Sequence, residues 1–349
     1  MITKIVKSKN NNSLKFQIKG DYDVCVINAL RRITIANLSI FAFSRNSIVF
    51  QTNKTIYNED FLSMRFSLLP LNVSEFEKLE KSGDFDLDSV VAELDVSNDS
   101  KGVGELRSVY SDDFRFYYGD DRKPLDVSKM ITVPKILLLK LKQGDKIGCN
   151  IRVMWGTHKD NGSMFSPVSK CVHYFEPDIK GYAQRADSVN PDLAMLEKEK
   201  TYLKKDDGNP SIYNYALEND GEIAIEKLFP LSCDYAVALI KSKQAEIKEI
   251  EKSEIVSMKT SPTNMEGYDF IFENSDDTLG NWIQTAGLKY KEIKYIGYNI
   301  PHVLDKKLFV RVSLGEGVPR SKYEAIMIEI MDSMIKTAQK LKKEYTDAI

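Results

Sequence analysis

Cysteine is scarce in this chain. Cys25, Cys149, Cys171 and Cys233 are spread over 349 residues with no CxxC spacing, which excludes a disulfide-stapled scaffold and favours reduced thiols inside cores. Histidine is scarcer still: His158, His173 and His302 fall in different expected elements without metal-ligand spacing, so neither zinc nor any other cofactor is expected. Net charge is nearly missing, with 49 Lys and Arg against 51 Asp and Glu, and no global attraction to nucleic acid or membrane follows. A stripe of interleaved aromatic and basic residues is lacking too, which argues against an independent, sequence-specific nucleic-acid module. The most apolar run, ITVPKILLLKL, is short and broken by Pro134, Lys135 and Lys140, and MITKIVKSKNNNSLKF has no signal-peptide core. A soluble intracellular protein is expected. Gly102-Val103-Gly104 and Gly315-Glu316-Gly317 lack the flanking strand, helix and spacing of a phosphate loop and read as turns.

What is present is strong hydrophobic patterning. In VCVINALRRITIAN, Val26, Ala29, Leu30, Ile33 and Ala36 spread over one broad arc of a helix running from about Asp21 to Ala36, and Asn28, Arg31 and Arg32 fall on the opposite side. Two adjacent guanidinium forks on a narrow polar strip call for an acceptor outside the helix. Before this helix, Thr3–Val6 and Leu14–Ile18 read as a hairpin. After it come strands over Ser39–Phe43 and Ser47–Phe50. A second helix follows, capped by Asn58 and stopped by Pro70, with Phe61, Met64 and Leu68 on one face.

Residues 72–133 are acidic and weakly patterned and read as part of a small, mostly β insertion. ILLLKLKQGDKIGCNIRVMW gives two strands about a Gln-Gly-Asp turn, and SPVSKCVHYFEPD gives another. Residues 178–210 read as a charged connection, Ser211–Leu217 as a strand, and a long helix begins near Ser232 with Tyr235, Leu239 and Ile247 along its apolar line. Residues 258–267, MKTSPTNMEG, have linker composition. Beyond them a strand, the capped helix DDTLGNWIQTAGL, a hairpin and a last helix from about Pro319 follow. In that helix Tyr323, Ile326, Met327, Ile330, Met334, Ala338, Leu341 and Tyr345 form a stripe too long for one small sheet to cover. It requires a partner helix.

Asn28, Leu30, Arg31 and Arg32, then Asn58 to Phe61, Arg65, and Leu68 to Leu71 resemble the N-terminal signature of the alpha-type subunits of multisubunit RNA polymerase. LKLKQGDKIGCNIRVMWGTHKD with SPVSKCVHYFEPD is similar to that family's later strand and return strand. Asp276-Asp277-Thr278-Leu279-Gly280-Asn281 resembles the hallmark of the smaller alpha-type partner, the eleventh-subunit type, with Asp277 in place of the usual histidine; Tyr298-Asn299-Ile300-Pro301-His302 resembles its later element with His and Pro exchanged. Both halves on one chain resemble the fused subunit of large nucleocytoplasmic DNA viruses.

The resemblance implies an α+β fold: two alpha-type dimerisation domains, each a mixed sheet with long helices, forming an internal pseudo-dimer. The third-subunit-like domain would comprise 1–45 and 168–257, interrupted by an inserted domain at 46–167; 258–267 would link it to the eleventh-subunit-like domain at 268–349. Leu30, Ile33, Leu239, Leu279, Gly280, Asn281, Ile326, Ile330, Met334 and Leu341 would form the internal contact. Asn28, Arg31, Arg32 and Arg65 would face partners: the second-largest polymerase subunit, small zinc-bearing subunits and, as a further candidate, the largest subunit. The implied role is non-catalytic assembly, one copy per polymerase, in host-cytoplasmic viral factories, with virion and nucleus left open. A cellular alpha-type subunit is the alternative. An enzyme built on Asp112, Asp113, Asp120 and Asp121 is a remoter one, since those acids lie in a charged loop.

Overall fold

The computed structural model describes all residues except 82–89, 101–103, 120, 186–195, 197–199, 252, 254–255 and 261–265. Gly102, Val103, Asp120 and the centre of the 258–267 tract therefore lie outside the described residues.

The chain opens with an antiparallel hairpin, β1 (Ile2–Lys7) and β2 (Ser13–Lys19). The arginine helix α1 spans Val24–Ala36 and starts later than Asp21, because Asp23 is still extended (φ −81°, ψ 150°) and stands at the N-cap. After the second core, described below, β11 (Lys170–Phe175) and β12 (Ile212–Glu218) complete a sheet of order β1-β2-β12-β11. Alternation along β2 and β12 turns Leu14, Phe16, Ile18, Tyr213, Tyr215 and Leu217 inward. The long helix α4 (Ile225–Lys248) covers them together with α1.

The expected start of α4 near Ser232 is too late, and Pro230 explains the error. Proline usually ends a helix because it lacks the N–H that would bond the carbonyl four residues back. Here that carbonyl belongs to Glu226, and it accepts instead from the Tyr345 hydroxyl at 3.0 Å, so the helix runs through. Tyr345→Phe removes the donor of a part-buried carbonyl and is expected to cost about 1 kcal/mol, read from urea denaturation. The apolar line is also displaced round the helix: Phe229, Cys233, Ala236, Ile240 and Ile247 are buried, whereas Tyr235 and Leu239 are half-buried at its flank.

The second core is built on β3 (Ser39–Phe43), β4 (Val49–Asn53), β5 (Val90–Ser97), β7 (Arg115–Tyr118), β8 (Lys123–Leu125) and the twelve-residue β10 (Lys146–Thr157). Order is β3-β10-β5-β7-β8, with β4 also on β10. A separate ribbon pairs β6 (Arg107–Tyr110) with β9 (Leu137–Leu141), so the turn at Gln143-Gly144-Asp145 joins two sheets rather than closing a hairpin. Helices α2 (Glu59–Ser67) and α3 (Val73–Lys81) flank a core that includes Phe41, Phe43, Leu62, Phe66, Phe76 and Phe116. The boundary expected after residue 45 is too late. β3 pairs with β10 over Ser39–Phe43, so Ile40–Phe43 lie in the second core.

The last part comprises β13 (Val256–Thr260), β14 (Tyr268–Glu273), α5 (Asp277–Gly287), β15 (Tyr295–Asn299), β16 (Lys307–Ser313) and α6 (Arg320–Thr346), with sheet order β13-β14-β16-β15. Met258–Thr260 of the expected linker are strand, paired to β14. The sheets expected to be mixed are antiparallel in every described pair.

One core runs unbroken through the first sheet, α1, α4, α5, α6 and the last sheet. Helices α4 and α6 lie antiparallel. Lys342 binds Asp234 at 2.6 Å, and Gln244 donates to Asp332 at 2.7 Å. Phe16, Tyr215, Phe229 and Tyr345 interlock with ring centroids 5.0–5.4 Å apart, fastening β2, β12, α4 and α6 together. Ile326, Ile330, Met334 and Leu341 are all inside. No helix among the described residues is long and apolar enough to cross a membrane.

Candidate partner surface around the arginine helix

Helix α1 buries Cys25, Val26, Ile27, Ala29, Leu30, Ile33 and Thr34 and leaves Asn28, Arg31 and Arg32 half-buried on its remaining strip. The two arginines diverge. Arg31 Nε donates to Asn28 Oδ1 at 3.0 Å, one turn back, and the side chain lies beside β11. Burial, with the positive charge of Arg31, pulls the His173 imidazole below its usual range. Arg32 Nε donates instead to Thr278 Oγ1 at 2.7 Å, across to the first turn of α5. No carboxylate among the described residues is within salt-bridge distance of either guanidinium. Each arginine thus spends one donor in positioning itself and holds further donors on a rigid fork.

Thr278 belongs to a polar seam that residue patterning alone did not assign. Asp276 caps α5, accepting from Thr278 N at 3.0 Å, and meets Lys159 of the one-turn helix His158–Asn161 at 3.4 Å. Burial opposes its ionisation, but Lys159, the Thr278 hydroxyl and N–H, and Arg32 outweigh that and hold its carboxyl below the usual range. Ile33, Tyr235, Leu239, Lys159, Asp276 and Leu279 line a cleft of 240 Å³ there. Residues from α1, the 157–160 segment, α4 and the 274–279 segment meet at it, which explains why no local motif announced it.

Within the DDTLGN hexapeptide, Leu279 and Gly280 are buried and Asn281 is half-buried, its carbonyl accepting from Thr285. A Cβ on Gly280 would lie 2.6 Å from Tyr298 Cδ2 and 2.7 Å from Leu308 Cδ1, so glycine is required by close approach to the sheet.

Arg65 stands elsewhere, exposed on the second core with its guanidinium on the Leu137 carbonyl at 2.9 Å. Asn58 caps α2, accepting from Asp60 N at 2.8 Å. The face shared by Phe61, Met64 and Leu68 is external, 41, 50 and 57% exposed, whereas Leu62, Phe66 and Leu69 are buried. With Leu137 they form an apolar surface around Arg65. Asp112 and Asp113 accept backbone N–H groups of Lys135 and Tyr110 and serve the turn rather than a pocket. Among the described residues, no His, Cys, Asp and Glu group is arranged to hold a metal ion.

Residues 268–347 match the family model of the RNA polymerase Rpb3/Rpb11 dimerisation domain. Subunit 3B of DNA-directed RNA polymerases IV and V of Arabidopsis thaliana is 23% identical over 185 residues, 50% of this chain and 57% of that protein. Subunit 3 of polymerases II, IV and V from the same plant is 24% identical over 185 residues, with the same coverage. A probable RPAC2 subunit of polymerases I and III of Caenorhabditis elegans is 28% identical over 87 residues, 25% of this chain and 60% of that protein. The chain thus covers little more than half the length of these relatives, and each is similar to it over a part of its own sequence.

Proposed function

We propose that this chain is a non-catalytic assembly subunit of a multisubunit DNA-dependent RNA polymerase, in which one polypeptide supplies both alpha-type partners. The observation that carries this reading is the single core shared by the first sheet with α4 and by residues 268–347 with α6. What two alpha-type chains would bury by associating, this chain buries by folding. The interrupted first domain, the internal pseudo-dimer and the viral fused-subunit type, with transcription in cytoplasmic viral factories, belong to the same reading.

The outward surfaces then have roles. Asn28 and the free fork of Arg31 face the second-largest subunit. Arg32 divides its donors between that partner and Thr278, and the apolar face around Arg65 serves a second contact with the same assembly. Such arginine forks suit carboxylates or backbone carbonyls, which they bind bidentately. The test is affinity capture with the tagged chain from cells that transcribe with this polymerase: the two largest subunits and small zinc-bearing subunits should co-purify in equal amounts, one copy of the bait per assembly. Recovery of the chain alone, or as a homodimer, would sink the proposal.

A further inference from the structure

The seam between the two cores has a covalent side and a non-covalent side. The chain crosses near Leu38–Ser39 and returns near Ser166–Val168, and the crossings lie together where Ser166 Oγ meets the Ile35 carbonyl at 3.4 Å. Elsewhere the first core reaches over through the loop 219–223, between β12 and α4. Val73 N donates to the Glu222 carbonyl at 3.0 Å, and Thr132 Oγ1 donates to the Asp220 carbonyl at 2.7 Å. Ile223 packs on both cores. Gly221, at φ +92°, lies against Thr132 in a conformation that other residues rarely adopt.

The Glu222 side chain is 9% exposed and borders a cavity of 160 Å³ between Ile40, Phe41, Leu68–Leu71, Met164 and Val168. Its carboxylate accepts from Asp220 N at 3.1 Å. Asp220 is the one other titratable group lining this cavity among the described residues. On the packed elements Arg65 binds Leu137, Glu75 and Lys78 pair with each other, Asp126 binds Ser128, Lys129 is exposed, and Glu77, half-buried on α3, does not line the cavity.

We propose that the loop 219–223 is a latch that holds the two cores together while the Glu222 carboxyl is protonated and releases them when it ionises. Burial, against the pull of its own N–H and with a push from Asp220, raises this carboxyl to about 7. The sign follows from linkage: a raised acid retains its proton in the latched state after the open state has lost it, so latching is strongest below the ordinary value of 4.5 and weakens as pH climbs to about 7. The open-to-closed ratio should rise by up to on the order of a hundredfold across that interval.

This inference does not depend on the polymerase reading. Its test uses the full chain with spin labels at Lys123→Cys on β8 and Lys336→Cys on α6, both exposed, against four buried native cysteines. Double electron–electron resonance should show one short distance at pH 5.5 and a growing longer population by pH 8.5. Glu222→Gln should keep the short distance throughout. Thr132→Val should enlarge the longer-distance population at every pH yet retain the rise with pH. A response of equal size in Glu222→Gln, or none in the native latch, overturns the proposal.

Discussion

Ile330→Ala is expected to lower the unfolding free energy by about 2–5 kcal/mol, seen as a lower urea midpoint at unchanged slope. Ile330 is fully buried in the α6 stripe, and its Cδ1 comes within 3.3 Å of where a Cβ on Gly287 would be. Alanine there loses both the transfer free energy of the removed carbons and the contacts of the cavity they leave. The rigid neighbours α4 and α5 leave little room for collapse, which puts the cost towards the upper part of the range. Leu304→Ala, at a site 81% exposed, is the control and should stay within about 0.5 kcal/mol of the parent. A loss below about 1 kcal/mol at Ile330 would mean that the two helices are fastened by their polar ties rather than by the stripe.

Arg31→Ala combined with Arg32→Ala should spare the fold and disrupt assembly. The apolar arc of α1 is untouched and alanine is a good helix former; the internal losses are one hydrogen bond to Asn28 and one to Thr278, together about 1–3 kcal/mol. Capture of the second-largest subunit should fall about thirtyfold or more, since truncating one side of a buried, charged hydrogen-bonded pair costs roughly 2–5 kcal/mol. Thr278→Val separates the two roles of Arg32. It removes the internal acceptor while leaving the fork, so it should reduce stability slightly and leave capture intact. If the double variant unfolds and its folded remainder still captures the subunit normally, the arginines hold the two halves together and the partner surface must lie around Arg65.

Much of this architecture could be read where side-chain period and local chemistry agree. The stripe from Tyr323 to Tyr345, the Asp276 cap and the alternation in β16 each name an element and its inner face. The helix starting at Ile225 could not be read, because Pro230 is a stop signal in every local rule and its remedy, a tyrosine hydroxyl, arrives from a distant segment. Helix α2 was legible as an element, but not which of its faces is buried. Phe61, Met64 and Leu68 and the buried set Leu62, Phe66 and Leu69 are both apolar rows at helical spacing, and periodicity cannot say which one a core will take. The division of Arg31 from Arg32 was illegible too: adjacent residues on a helix diverge by about 100°, and what lay beyond each depended on where α5 docked.

The tie between Tyr345 and Glu226 also bears on the order in which the chain acquires its structure. Phe16 and Tyr345 touch across 329 positions, so the first sheet and α4 cannot close their shared core until α6 has been made and brought back. Until then the Pro230 turn lacks its donor and a row of aromatic rings faces water. Contacts this remote in sequence incur loop-closure entropy before they return any burial, which makes folding slow. A nascent chain halted before α6 should therefore expose this half-built surface and bind chaperones, whereas one extended through Thr346 should release them.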